Sequence, residues 1–284
     1  MSRAHDLPLY QAIALGLLHG PTELLPVSSS AHTTLVPWLL GWGYGELDPA
    51  LRKSFEVSLH AGTAVGLLAR PPWGRLSGLP SSRPRRLARI AMLAGATVPP
   101  AGAGLVLGEK IEQRLGTPST IAVGLFAGAT AMAAAELRAG RSEDSRPASE
   151  AGPGDGLALG AAQALALIPG LSRSGLATAA ARARGFGRVE ADRLCWQVGL
   201  PVIAGAASLK GVREARAGIP AQDRRSLAAG AGAALLSTYL SARLLPANMR
   251  MRLLPATIAY RVALAGAVTV RMRGHAGGTP DQSQ

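Results

Sequence analysis

Long apolar blocks alternate with polar connections along this chain. Six of the blocks approach the length of a membrane-spanning helix, at about 55–69, 89–107, 119–137, 194–209, 226–242 and 255–270. A bilayer core of roughly 30 Å needs ~20 apolar residues in helical form, so the pattern predicts six spans. The first and last are short and must tilt, thin the bilayer or borrow flanking residues. Pro99-Pro100 falls inside the second block and predicts a kink there.

Two other stretches are organised differently. Residues 7–18 and 30–42 are apolar arms of about a dozen residues around a polar break from Pro21 to Ser30, and the layout recurs at 156–187 around Pro169–Ser174. Arms so short cannot cross a bilayer alone, which predicts a re-entrant hairpin in each case. Non-helical backbone at that depth is tolerated where it lines a cavity or is buried in protein. Three spans follow each hairpin. Three is odd, so the second half is expected upside down relative to the first, with both hairpin tips near the midplane. The expected fold is an all-α integral membrane protein, an inverted repeat. Each half is a hairpin plus three helices: one domain over 1–284, with repeat one at 7–137 and repeat two at 156–271. The connection 138–155 is expected to be mobile, and the tail from 274 to 284 disordered. Residues 7–18 lack a good cleavage site and lead straight into the first break, so they are read as part of the mature protein. Trp38, Trp42 and Tyr44 close the second arm and suit an interfacial belt.

The chain has 284 residues, mean hydropathy +0.20 and net charge +13, carried by 27 Arg and 3 Lys. The basic residues lie in the connections, with no aromatic interleaving, which argues against nucleic acid and for charge flanking membrane spans. The side holding loops 70–89, 138–155, 182–193 and 243–252 carries 16 Lys and Arg, and the side with both termini 12. The positive-inside rule then puts both termini outside the cell membrane. A single cysteine, Cys195, excludes an internal disulfide and reads as a buried thiol.

The chemistry concentrates in the two breaks. The first contains His19, Glu23, Ser28, Ser29, Ser30 and His32; the second contains Gln163, Gly170, Ser172, Arg173 and Ser174. Ionisable groups within apolar segments are functional-site hypotheses by default. A guanidinium stays charged and its fork matches phosphate. Hydroxyls and free amides at a helix start bind anions, although simple N-capping by Ser28 or Ser29 explains them too. Glu23 needs a partner, which Arg173, His32 or a metal would supply. A Ser near a His oriented by a carboxylate is a nucleophile-activating pattern. Gln163 is read either as a substrate contact or as an interhelical hydrogen bond.

These residues resemble the undecaprenyl-diphosphate phosphatase family, also called bacitracin-resistance proteins. Thr22-Glu23-Leu24-Leu25-Pro26-Val27-Ser28-Ser29 with His32 looks like its first motif. Ser54-Phe55-Glu56-Val57, His60-Ala61-Gly62-Thr63 and Ala96-Thr97-Val98-Pro99 resemble later blocks. Gln163 to Gly175 is close to the second motif, and Pro201 continues it. The resemblance implies hydrolysis of undecaprenyl diphosphate, which recycles the lipid carrier of peptidoglycan synthesis and confers bacitracin resistance. By position it implies Glu23, Ser28, Ser29, His32 and Arg173 as catalytic. Ser29 is the first choice of nucleophile and Ser28 the second, with His32 as the base or as the nucleophile itself. Ser172, Ser174, Gly170 and Gln163 would bind substrate. Glu23 with His19 would hold a divalent cation, Mg²⁺ or Ca²⁺. The partners expected are the polyprenyl diphosphate and the bilayer, and a homodimer is compatible. Two positions depart from the family pattern: His19 stands where Glu or Gln is usual, and Ala177 where Thr is usual. His19 brings a side chain of unperturbed pKa ~6.5. These changes keep open a divergent relative acting on another polyprenyl diphosphate, and a lipid-phosphate transporter or flippase remains the alternative class.

Overall fold

The computed structural model describes residues 6–71, 82–140, 146–217 and 222–276, which form helices and turns with no strand among them. The helices are α1 (Leu9–Leu24), α2 (Ser29–Leu40), α3 (Pro49–Ala69), α4 (Arg83–Leu115), α5 (Pro118–Ala139), α6 (Pro153–Leu165), α7 (Arg173–Ala183), α8 (Arg188–Ala217), α9 (Arg224–Leu244), α10 (Ala247–Arg252) and α11 (Leu254–Ala276). All six apolar blocks fall on helices of 21 residues or more, about 30 Å at ~1.5 Å per residue. Two of them, α4 and α5, are both long and apolar enough to cross a membrane. An all-helical architecture satisfies its backbone internally, as a bilayer requires.

The short first and last blocks borrow their flanks. Asp48 accepts the amides of Ala50 and Leu51 at 2.8 and 3.1 Å, and Pro49 takes the first helical position, so α3 starts six residues before its apolar block. Helix α4 runs through Pro99-Pro100 as one element.

Both chain breaks are narrower than expected or shifted. Helix α1 continues through Pro21 to Leu24, so the first break is only Leu25–Ser28. The Thr22 hydroxyl donates to the Leu18 carbonyl at 2.8 Å and supports the turn that Pro21 weakens. The second break is Ala166–Ser172, which places Arg173 and Ser174 in the first turn of α7. Each break ends on a serine at positive φ: Ser28 at 76° and Ser172 at 70°. A side chain in that region costs about 1–2 kcal/mol, so the surrounding packing must impose it. Tyr44, expected at an interfacial belt, is instead buried beside Phe55, with its hydroxyl 3.5 Å from Glu56.

Small residues set the closest helix contacts. Helix α1 lays Gly16 and Gly20 on α9, where Ser237 donates to the Gly16 carbonyl (3.0 Å) and accepts the Gly20 amide (3.2 Å). Helix α6 lays Gly156 and Gly160 on the backbone of α4 at Met92 and Gly95. Without a hydrophobic drive between helices, such close backbone approach and interhelical hydrogen bonds hold a membrane bundle. Helix α3 packs on α9 and α8 on α4, and α5 lies against α11.

Within the connection 138–155, Asp155 accepts from Arg146 (3.1 Å), Arg184 (2.7 Å) and the Gly152 amide (3.0 Å). Residues 141–145, most of the loop 70–88 and the tail beyond 276 lie outside the described residues.

A Cβ at Gly156 would overlap the Met92 backbone, whereas one at Gly102 meets nothing within 4 Å. Gly156→Val should therefore destabilise by ~1–3 kcal/mol or more, and Gly102→Val should not. Thermal unfolding of the two variants in detergent checks this.

Candidate active site

Helices α1 and α2 from the first half meet α7 from the second at one buried cluster. Glu23, in the last turn of α1, is its centre. Arg173 donates from Nη2 to Glu23 Oε1 at 3.0 Å, and Ser29 donates from Oγ to Glu23 Oε2 at 2.6 Å. All three lie where water is scarce; the Arg173 and Glu23 side chains are only 15% and 10% exposed. A charged pair that deep persists because each partner neutralises the other. It also joins residues 150 positions apart, across the two halves of the chain.

Arg173 is fixed on its other sides. Its guanidinium carbon is 5.2 Å from the Trp196 ring centroid on α8, and Trp196 carries Arg250 at 5.8 Å. Its Nη1 lies against Gly199, where any Cβ would overlap it. Nη1 is buried and has no hydrogen-bond partner.

His32 faces away from Ser29. Its Nδ1 donates to the Ser28 carbonyl at 2.7 Å, which leaves Nε2 as the acceptor for the Tyr260 hydroxyl, also at 2.7 Å. The two rings stack at 5.6 Å. Glu23 therefore does not orient His32, as the triad pattern expected. The acceptor on the Ser29 hydroxyl is the carboxylate itself. Ser28 makes no capping bond to α2, its hydroxyl lying 3.3 Å from that of Ser30, so first-turn amides of that helix are available to an anion. Ser172 does cap, accepting the Gly175 amide at 3.2 Å, with Ser174 3.4 Å away. Gln163 donates to the Ala96 carbonyl on α4 at 3.0 Å, the interhelical bond, and its Oε1 is buried without a partner.

His19 and Glu23 share one face of α1, as their spacing requires. His60 of α3 joins them, and one ligand atom from each of the three lies within 4.8 Å of the others. His19 is fully buried, its Nδ1 is 2.9 Å from Thr63 Oγ1, and its Nε2 has no partner. A buried orphan nitrogen beside a carboxylate fits a cation.

Arg261 holds the geometry. It is wholly buried in α11 and donates to carbonyls of both breaks, Pro26 at 3.0 Å and Gly170 at 2.7 Å, and to Leu125 at 3.1 Å. Gly170, read as a substrate contact, adopts φ 93° and gives its carbonyl to this arginine.

The model for the family described as bacitracin resistance protein BacA matches residues 12–267, which is most of the chain. The chain belongs to that family. The undecaprenyl-diphosphatase of Geobacter sulfurreducens is 36% identical over 272 residues, covering 92% of this chain and 97% of that protein. The Geobacter metallireducens and Thermomicrobium roseum proteins of the same name are 37% and 34% identical, covering 92% and 90% of this chain and 96% and 95% of their own lengths.

In this BacA-family chain the sequence assigns no site role to four contributors: His60, Gly199, Tyr260 and Arg261. A lone arginine in the apolar block 255–270 was the available signal for Arg261 and its neighbour Tyr260. His60 offered the same signal in 55–69. Gly199 offered none, because its role is to leave space.

Arg261→Leu would leave several buried carbonyls unpaired, at ~1–3 kcal/mol each. The variant should unfold well below the wild type in detergent. Arg261→Lys, which keeps the charge and loses the fork, should fall between them.

Proposed function

We propose that this chain hydrolyses undecaprenyl diphosphate to undecaprenyl phosphate and inorganic phosphate in a bacterial cell membrane. This returns the lipid carrier to peptidoglycan synthesis and protects against bacitracin. The observation that carries the reading is the double bond of Glu23, to a nucleophile and to a phosphate-binding cation at once. The similarity to undecaprenyl-diphosphatases over nine-tenths of the chain supports it.

The repeated contacts support an inverted repeat with two hairpins. Helix α1 packs on α9 as α6 packs on α4, and Gly16, His19 and Ser28 correspond to Gly160, Gln163 and Ser172. Six crossings with both termini outside follow from the Arg and Lys distribution. The prenyl tail then stays in lipid while the diphosphate reaches the hairpin tips.

In the reaction, Arg173 turns its fork from Glu23 toward the terminal phosphate, and the first-turn amides of α2 with Ser28 hold further oxygens. Ser29 attacks the terminal phosphorus and its proton passes to Glu23. The bond from that phosphorus to the bridging oxygen breaks, Glu23 passes the proton to that oxygen, and undecaprenyl phosphate leaves. Water then attacks the phosphoserine and gives a proton to Glu23, which hands it to Ser29 Oγ as inorganic phosphate departs and the hydroxyl is restored. His32, held between the Ser28 carbonyl and the Tyr260 hydroxyl, positions the α2 start. A divalent cation, held by Glu23 and His19, would supply further charge neutralisation.

Purified protein should release phosphate from undecaprenyl diphosphate, and Arg173→Ala should lose about 10²–10³-fold or more. Unchanged activity in that variant contradicts the mechanism. Movement of the lipid across vesicles without phosphate release would favour a transporter instead. Gly199→Ala pushes the guanidinium aside and should cost about 10-fold or more through misplacement alone, with little effect on stability. Steady-state phosphate release by this variant, beside its melting temperature, separates the two effects.

A further inference from the structure

We infer that His60 completes a two-histidine, one-carboxylate metal site with His19 and Glu23, and that this site selects a transition metal over Mg²⁺ or Ca²⁺. The inference rests on Glu23 belonging to the diphosphate site and adds a ligand and a metal class to that reading.

The donor set comes first. His19 stands where a carboxylate or carboxamide would make the site an oxygen cage. Mg²⁺ and Ca²⁺ take oxygen ligands, whereas imidazole suits Zn²⁺, Co²⁺ and related ions. Two imidazoles and one carboxylate on α1 and α3 give three protein ligands and leave open positions for water or a phosphate oxygen.

The orientation of the rings is the second observation. His60 Nδ1 donates to the Glu56 carbonyl at 2.7 Å, so its Nε2 carries the lone pair. His19 Nδ1 is held by Thr63, itself tied to Thr238 at 3.3 Å. With that Nδ1 protonated, the buried and unpartnered Nε2 of His19 also presents a lone pair. Histidine ligands characteristically have the far nitrogen held by a protein acceptor in this way. The rings meet edge to face at 4.8 Å. Ligand atoms on one ion at ~2.1 Å bonds lie at most ~4.2 Å apart. The cluster, within 4.8 Å, needs only a small contraction.

The charge count is the third. Glu23 and Arg173 cancel, so a diphosphate arriving at the pair alone meets no net charge. A divalent ion on the free lone pairs of Glu23 restores a net positive pocket, and it frees Arg173 to leave the carboxylate for substrate.

Co²⁺ alone is the probe, added to the full-length, tag-free, chelator-stripped protein in detergent. One Co²⁺ per chain should bind, with visible d–d bands that Zn²⁺ erases and a hundredfold excess of Mg²⁺ does not. His60→Gln and His19→Gln should each weaken binding by at least tenfold while the circular dichroism spectrum is kept. His19→Glu should retain a site but shift its preference toward Mg²⁺. Absence of the bands, equal displacement by Mg²⁺, or unchanged binding in both glutamine variants would overturn the assignment. Phosphate release measured on the same samples keeps the two readings apart. Hydrolysis without a Co²⁺ site sinks this inference alone, and a Co²⁺ site without hydrolysis sinks the phosphatase reading alone.

Discussion

Two breaks in helical backbone, inside an apolar bundle, leave carbonyls without an intrahelical donor. The site depends on how that deficit is met. Arg261 serves Pro26, Gly170 and Leu171, because a guanidinium has five donors in a fixed fork. Its hydrogen bonds to Pro26, Gly170 and Leu125 fasten both breaks to α5 and α11. Gly124 and Gly128 on α5 leave room for the second break and for the arginine itself. Each break ends on a serine at positive φ, Ser28 and Ser172, from which α2 and α7 begin.

The ion pair of Glu23 and Arg173 belongs to the same design. Each charge is supplied by a different half, and at that burial each is compensated by the other. In the resting protein the pair stores the two groups as partners. In the proposed reaction a diphosphate would offer Arg173 a better-matched acceptor and leave Glu23 free to take a proton from Ser29. Electrostatic neutralisation of the substrate and activation of the nucleophile would then be one event. The Trp196 ring between Arg173 and Arg250, and the space at Gly199, keep the guanidinium within reach of both positions.

Much of this was legible in the sequence because burying a polar group in an apolar segment is costly. Glu23, Ser28, Ser29, Arg173 and the six long helices announced themselves through that contrast. The helix boundaries were less legible. Asp48 extends α3 through a local capping bond that block-counting does not register, and Thr22 carries α1 past Pro21. The partner of Ser29 was misjudged because a His three residues on looked nearer than a Glu six residues back. In the fold the helical turn directs His32 to the Ser28 carbonyl and Tyr260, while the break folds Ser29 back on Glu23. Packing across the halves, as at Gly199 and Arg261, carries no periodicity and becomes visible only in three dimensions.

In the proposed reaction Ser29, activated by Glu23, takes the terminal phosphoryl group. Rapid quench of the purified protein with undecaprenyl diphosphate labelled in its terminal phosphate tests this. An acid-stable label should appear within one turnover, map to the peptide containing Ser29 and be absent from Ser29→Ala. Label on Ser28, or an acid-labile label on His32, or turnover with no labelled protein at any time, would contradict it.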